Sequence, residues 1–413
     1  MRGKADSDLV RRQNRRVVLE ALRAQGPMAR VDLGRVTGLS PASITTITVQ
    51  LISDQAILEL DEPASSGNVA KRGRPSVRLG LNPHATRVLV IKISVDGVEF
   101  ALADFDSKIG SRKLVQVATY DIDPEIFGAR LVAETRLFIS ENNLSPPDIA
   151  RIGVAAQGVA DTRDGSIAWS PAFKARGMAV VAPLQKAFSI PCSIANDANM
   201  IAEGHLARNP AEKRGTTAVV FMGYGVGMGL IFDGAVYHGT SGAAAEFGHM
   251  NHMPGGALCR CGRAGCIEAY ASDYAILRSA ENLPDNIAPP SSAVDRQIML
   301  ALEHAARKGD KNSVAAYAKA GRAIGFGLAR MIALLNPDRI VLAGPGTSAL
   351  DLIEPALRAA IDEGVVAELR QTLQIETVPI ETDMIIIGTI DAVMRHLDSE
   401  IFAYGPMPAF KTA

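Results

Sequence analysis

The sequence predicts an α/β protein in two parts: an N-terminal winged helix-turn-helix, then a larger α/β body of two lobes with a cleft between them. Three observations carry this. Two short helical patterns meet at a Gly-Leu-Ser turn and are followed by a hairpin with a basic tip. From residue 88 onward, strand and helix patterns alternate. Three of the four cysteines crowd into one glycine-rich loop, "HMPGGALCRCGRAGC".

The bulk numbers fit this division. At 413 residues the chain exceeds one ordinary domain, and its 47% hydrophobic and 21% charged residues suit a globular protein with ample core. Net charge is −1, so any nucleic-acid contact must come from a local patch. The start, "MRGKADSDLVRRQNRR", has no apolar core of signal-peptide length, and no later run reaches ~18 apolar residues. Few and clustered cysteines do not suggest a secreted disulfide framework. The expectation is a protein of the reducing cytoplasm with no membrane partner.

The local basic patch is at the N-terminus. Arg2, Lys4, Arg11, Arg12, Arg15, Arg16, Arg23, Arg30 and Arg35 are opposed only by Asp6, Asp8, Glu20 and Asp32. "NRRVVLEALRAQGPMA" places Val17, Val18, Leu19, Ala21 and Leu22 at helical spacing and stops at Gly26-Pro27. "RVDLGRVTGLS" reads as a short helix with Val31, Leu33 and Val36 inward and Gly38 at its C-terminal end. The next helix begins with Ser40 as N-cap and Pro41 at the first helical position; Ile44, Ile47, Leu51 and Ile52 face one side.

That third helix is the expected recognition helix. Ser40, Ser43, Thr45 and Thr46 lie in its first turns, where side chains reach major-groove base edges. Strands in "AILELDE" and "PSVRLGLN" make the wing, with Arg72 and Arg74 around Gly73 at its tip, suited to a minor groove. Residues 1–82 form this domain, which predicts double-stranded operator DNA as a partner, and residues 83–87 form a short linker.

In the body, "RVLVIKISV", "EFALADFD" and "KLVQVATYD" read as three successive strands. "PEIFGARLVAETRLFISENN" is an amphipathic helix, and "IARIGVAAQGVAD" a strand ending at glycine. "TTAVVFMGYGVGMGLIFDG" reads as two strands around a glycine-rich turn. "SVAAYAKAGRAIGFGLARMIALLNP" is a long helix, and "DRIVLAGPG" a strand into a glycine turn.

The cysteine loop has the spacing His249-x9-Cys259-x-Cys261-x4-Cys266. Three thiolates and one imidazole suit a tetrahedral Zn2+, with His252 as the rival for the histidine position. Four protein ligands leave no open position, so the expectation is one structural zinc per chain.

These pieces together resemble the ROK family, named for repressors, open reading frames and kinases, and in particular its repressor branch. The resemblance rests on the helix-turn-helix with "GRP" in its wing, "NDAN" at 196–199, "GYGVGMGLIFDG", "EFGHM", "CRCGRAGCIEAY" and "NPDRIVLAGPG". It implies an actin-like, ribonuclease-H-like body. It divides that body into a first lobe of residues 88–198, joined by a C-terminal helix at about 388–413, and a second lobe of residues 199–387 bearing the zinc loop. It further implies that His249, Cys259, Cys261 and Cys266 ligate zinc, that Glu246, His249 and Glu268 line a sugar site, and that Asn196 and Asp197 stand opposite. Carboxylates, an amide and a metal-fixed imidazole are suited to hydroxyls that both donate and accept. A homodimer or dimer of dimers is expected.

Asp197 matches the position of the family's catalytic base. The phosphate-binding turns, however, are altered: Lys92 stands near the place of an aspartate, Ser94 and Val95 near glycines, and Tyr224 where the kinases carry a small hydroxyl residue. Ala245, Ala172 and His205 also depart from the family's usual residues. Trp169, the single tryptophan, either lines the cleft or is buried in the core. The sequence therefore predicts a sugar-responsive repressor rather than an enzyme. The alternatives are an ATP-dependent cytoplasmic sugar kinase and a DNA-binding protein whose body only docks partners.

Overall fold

The computed structural model of the chain describes residues 2–60, 77–209, 214–371, 373–378 and 383–400. The N-terminal domain follows its local signals. Helix α1 (Arg2–Gln25) ends at Gly26, which has φ +75°. Strand β1 (Met28–Ala29) leads into α2 (Arg30–Thr37). Gly38 closes α2 in the left-handed region (φ 70°), its N–H bonded to the Gly34 carbonyl, a conformation that costs a glycine least. Helix α3 (Pro41–Ser53) starts as expected: the Ser40 side chain accepts from the Ser43 N–H at 3.2 Å. Strands β2 (Ile57–Leu60) and β3 (Arg78–Leu81) pair antiparallel with Ile57 opposite Leu81, and β1 joins β3 on the other side. The wing tip, with Arg72 and Arg74, lies outside the described residues.

One inward set is corrected. Of Val31, Leu33 and Val36 only Leu33 is buried; the two valines are 74% and 45% exposed. Val31 lies about 200° around the helix from Leu33, and an eight-residue helix wedged between α1 and α3 buries one narrow stripe.

The first lobe opens with β4 (Arg87–Ser94), β5 (Gly97–Asp104) and β6 (Ile109–Val115) as an antiparallel meander. The third strand begins four residues before the stretch expected from sequence. A tight turn, in which the Asp104 carboxylate accepts from the Lys108 N–H and Ser107 takes φ +64°, lets pairing resume at once. Helix α4 (Pro124–Glu141) is capped by Asp123. Strand β7 (Ile149–Ala156) runs parallel to β4, and a small sheet follows in β8 (Val159–Asp161), β9 (Ser166–Trp169) and β10 (Met178–Ala179). After α5 (Val181–Phe188), β11 (Cys192–Asn196) joins β7 in parallel, giving the order β11-β7-β4-β5-β6.

Helix α6 (Asp197–Arg208) leads to the second lobe. Its sheet has β12 (Thr216–Met222), β13 (Val226–Phe232), β14 (Ala235–Val236), β15 (Arg339–Ala343) and β16 (Gln374–Thr377), ordered β14-β13-β12-β15-β16. Around it lie α7 (Glu268–Ala271), α8 (Asp273–Ala280), α9 (Arg296–Arg307), α10 (Lys311–Leu335) and α11 (Leu350–Gly364). The last described helix, α12 (Met384–Glu400), begins four residues before the expected start, and residues 401–413 lie outside the description. No described helix is long and apolar enough to cross a membrane.

Each lobe has its own core, but the N-terminal domain does not. Leu19, Leu22, Leu51 and Leu79 form one apolar cluster with Val88, Val90 and Phe105 of the first lobe and with Ile390, Met394 and Leu397 of α12. Residues 83–87 join two parts that share a core. Helix α12 in turn crosses α6 in backbone contact. A Cβ on Gly388 would fall on the Met200 carbonyl oxygen, and one on Gly204 on that of Met384.

Candidate ligand cleft and metal cluster

The metal cluster forms as the spacing predicts. Ligand atoms of His249, Cys259, Cys261 and Cys266 lie within 4.8 Å of one another. Cys261 Sγ and Cys266 Sγ are 3.7 Å apart, as are Cys259 Sγ and His249 Nδ1. Four ligands at tetrahedral angles and ~2.3 Å from an ion would be ~3.8 Å apart, so the donor set fits a four-coordinate metal. The loop achieves this through two tight turns, with Gly262 at φ +85° and Gly265 at φ +87°. His252 is not in the cluster; its ring packs edge-on against Tyr270 at 5.1 Å. The histidine position therefore falls to His249.

His249 has two faces. Nδ1 points at Cys259, and Nε2 lies 3.9 Å from Glu246 Oε2. Its ring meets Trp169 edge-on at 5.2 Å. Glu268, the first residue of α7, is buried with Oε1 3.5 Å from Cys259 Sγ and Oε2 3.4 Å from the Val226 N–H nitrogen. Gly225 leaves room for this carboxylate: a Cβ there would sit 2.9 Å from Oε2.

His249 and Glu268 border a slot of about 60 Å3 between the lobes, with Trp169, Gln157, Asp197 and Tyr224. Trp169 thus belongs to the cleft rather than the core. Asp197 opens α6, where its carboxylate accepts from the Ala198 N–H at 2.9 Å. Desolvation in the cleft pushes the Asp197 carboxyl up to about 7; Glu246 adds to the rise, and the Ala198 N–H and Lys92 oppose it. Burial likewise raises Glu246, with the neighbouring His249 opposing.

Asn196 is engaged with backbone. Its Nδ2 donates to the Gly158 carbonyl at 2.6 Å and its Oδ1 accepts from the Asn199 N–H at 3.1 Å. It caps α6 and ties that helix to the turn after β7, and it does not border the slot. Glu246 also stands behind the slot, against His249. Gln157 was missed: it borders the slot and accepts from the Val95 N–H at 3.2 Å, and only "AAQGVAD" at the end of a strand hinted at it.

Beyond Asp197 and Tyr224 the slot continues into an inner cavity of about 360 Å3 bordered by Lys92, Ser94, Asp96, Asp383 and Pro345. Lys92 Nζ is 3.3 Å from Glu99, and Arg112 bridges Glu99 and Asp383. The Tyr224 ring carries the Arg260 guanidinium on its face at 3.8 Å. Burial raises the Tyr224 phenol above its ordinary range, so it stays neutral.

The other departures sort themselves out by place. Ala245 holds φ +63°, a left-handed position that explains why glycine is usual there. Ala172 is buried, and His205 is buried within α6, where its Nδ1 lies 3.3 Å from Asn209 Nδ2.

On α3 the exposed face holds Ala42, Thr45, Thr46 and Val49, with Ser43 half-buried. Thr45 and Thr46 donate back to the Pro41 and Ala42 carbonyls at 2.8 and 3.0 Å. Ser40 is engaged in capping and lies 2.9 Å from the Ser43 hydroxyl.

The model of the ROK family matches residues 88–394. The chain is 25% identical over 392 residues to the xylose repressor of Bacillus subtilis, covering 95% of this chain and 97% of the relative. It is 27% identical over 372 residues to the DNA-binding transcriptional repressor Mlc of Escherichia coli, covering 90% of each. Among solved structures it superposes on a ROK family transcriptional regulator, a homolog of the E. coli MLC protein, with a TM-score of 0.77 at 24% identity over 95% of this chain and 98% of that one. A ROK family glucokinase from Streptomyces griseus, solved with glucose and AMPPNP, gives 0.59 at 22% identity over 74% of this chain and 98% of that one. At these identities the superpositions speak to fold alone, and the fold is the expected one: a winged helix-turn-helix joined to a two-lobed, actin-like body.

Proposed function

The chain belongs to the ROK family, and on that premise we propose that it is a sugar-responsive, DNA-binding transcriptional repressor of carbohydrate-metabolism genes. The observation that carries this is the position of Asp197. It borders the slot opposite His249 and Glu268, and it begins α6, the helix that crosses α12 in backbone contact. Helix α12 shares its core with the DNA-binding helices. Full-length similarity to proteins named as repressors supports the same reading.

In this reading the slot reads sugar hydroxyls. The carboxylates of Asp197 and Glu268 accept from them, and His249 Nε2 meets them while Glu246 fixes its ring. Zn2+, one per chain, would be held by His249, Cys259, Cys261 and Cys266. When bound, it supplies folding energy and a fixed orientation for His249 rather than reactivity. The slot alone is far smaller than the ~300 Å3 of an ordinary small-molecule site, but it opens on cavities of about 360 Å3 on either side, so a sugar seated at Asp197 and His249 has room to extend. Ligand then biases two states by its differential affinity, and a coupling of about 1–3 kcal/mol changes operator affinity roughly 5- to 150-fold.

A kinase would require the inner cavity to hold a triphosphate. Its one lysine is already paired with Glu99, and Lys92, Ser94, Val95 and Tyr224 border it where the resemblance expects an aspartate, glycines and a small hydroxyl residue. We therefore assign no enzymatic step. The partners are double-stranded operator DNA and a second copy of the chain, as a homodimer or dimer of dimers in the cytoplasm. The test is operator binding by the full chain against a sugar panel, with and without ATP and Mg2+. A sugar should shift operator affinity without ATP, and no sugar phosphate should form. Phosphorylated product, or a response that needs ATP, sinks the proposal.

A further inference from the structure

Trp169 and Pro171 border a second cavity besides the slot, an outer one of about 360 Å3 that Asp197 does not reach. Its chemistry differs from the rest of the cleft. Tyr120 and Trp169 supply aromatic wall, Lys174, Arg176 and Arg260 are its cationic side chains, and Cys259 and Cys261 of the metal cluster line it as well; no carboxylate is among the described residues that line it.

Arg260 is fixed in place. Its Nε donates to the Pro290 carbonyl at 3.1 Å, Nη1 to that of Tyr224 at 2.9 Å and Nη2 to that of Ser292 at 3.4 Å. Its guanidinium lies over the rings of Tyr224 and Tyr274 at 3.8 and 4.4 Å. All three acceptors are neutral, so the charge is positioned without being cancelled by a bonded carboxylate. Asp273 lies within its field but not in the cavity wall. Lys174 is 3.9 Å from Asp121 with both side chains largely in water, a pair of little energetic worth, and Arg176 is exposed.

The inner cavity differs: it is lined by Asp96, Asp197 and Asp383, of which Asp383 is paired with Arg112, and by Lys92, which is paired with Glu99. The carboxylates that line the cavities of the cleft thus lie on the Asp197 side, and Arg260, Lys174 and Arg176 beyond Trp169. A concave site with low-dielectric aromatic walls and cations of one sign concentrates anions, and the two N–H groups of Arg260 not given to carbonyls remain to meet a carboxylate or phosphate oxygen.

We propose that the outer cavity is an anion subsite and that the ligand, on the sugar-sensor reading above, is a sugar carrying a carboxylate or a phosphate at the end remote from Asp197. The aromatic wall takes the sugar's apolar face, Arg260 takes the anion, and Lys174 and Arg176 steer it in.

The test is calorimetry on the full chain with glucose, galactose and mannose, each beside its uronate and its 6-phosphate, both charged at C6, and its 1-phosphate. At least one anionic form should bind about tenfold or more tighter than its neutral parent, the size of one or two charge-assisted contacts. Uronate against 6-phosphate names the anion as carboxylate or phosphate, and 6-phosphate against 1-phosphate names the end of the sugar that carries it. The exposed double variant Lys174→Glu/Arg176→Glu should cut that preference about threefold or more while leaving neutral sugars within about twofold. Neutral sugars that bind as well as their anionic forms overturn the subsite and leave the sensor reading standing. So does a double variant that weakens neutral and anionic sugars alike. No binding by any sugar of the panel counts against both.

Discussion

Arg23 and Asp398 form a two-pronged ion pair at the joint between the DNA-binding helices and the body. Arg23 Nη2 is 3.0 Å from Oδ1 and Nε is 3.2 Å from Oδ2, and the Asp398 side chain is fully buried. Arg23 Nη1 also donates to the Phe105 carbonyl at 2.6 Å and to the Ser107 hydroxyl at 3.1 Å. One guanidinium thus ties α1, α12 and the β5–β6 turn together.

Removing one member of such a pair strands a buried charge. Arg23→Ala is expected to destabilise the full chain by about 3–5 kcal/mol and to weaken the effect of sugar on operator affinity. Urea unfolding and operator titration check the two halves. Wild-type stability in this variant would show that the joint rests on the shared apolar core alone.

The metal cluster makes a second prediction. Elemental analysis of purified protein is expected to give about one zinc per chain, and Cys261→Ser to lose it and lower the melting temperature of the body, because binding energy at such a site is folding energy. A metal-free wild type of full stability would end the assignment.

Asp197 makes a prediction about pH. Its folded carboxyl titrates at about 7 against about 4 in an unfolded chain. Between those values the folded form keeps a proton that the unfolded form has lost. Its contribution to stability is therefore full below pH ~4, falls as pH rises to ~7 and is absent above. Ligand runs the other way: a sugar hydroxyl donating to Asp197 needs the carboxylate, so affinity should rise about tenfold from pH 6 to pH 8. Asp197→Asn should bind more weakly and with a flat profile; an unchanged rise in that variant removes Asp197 from the site.

For the DNA face, Thr46→Ala on α3 is expected to cost about 1–3 kcal/mol of operator affinity while leaving binding to unrelated DNA and the salt slope unchanged, since a base contact carries sequence and not charge. Arg74→Ala, at the wing tip expected from the sequence, should instead lower the salt slope by about one unit. Footprinting and salt titrations separate the two.

Ala245 offers a test of backbone strain. At φ +63° its Cβ is disfavoured, and Ala245→Gly is expected to stabilise the chain by roughly 1 kcal/mol. Stability lower than wild type would mean that the entropy lost by glycine outweighs the relief.

Local chemistry determined much of this protein from the sequence alone. Ser40, Pro41 and Gly38 set the boundaries of the reading helices because capping is satisfied within a few residues. The Cys3His set was legible because a metal fixes the donor types and loop glycines allow the turns. The alternation of strands and helices announced the two-lobed body. Tertiary structure decided the rest. It chose His249 over His252, turned Val31 and Val36 outward, gave Asn196 to the backbone and set Gln157 and Trp169 at the slot. It also placed α12 between the ligand helix and the DNA-binding domain, through Gly204 against Gly388 and Arg23 against Asp398. These outcomes depend on surfaces whose partners lie up to 375 positions away in the chain, so no periodicity or spacing within one segment encodes them; they are fixed only when close-packed backbones and buried charges find each other.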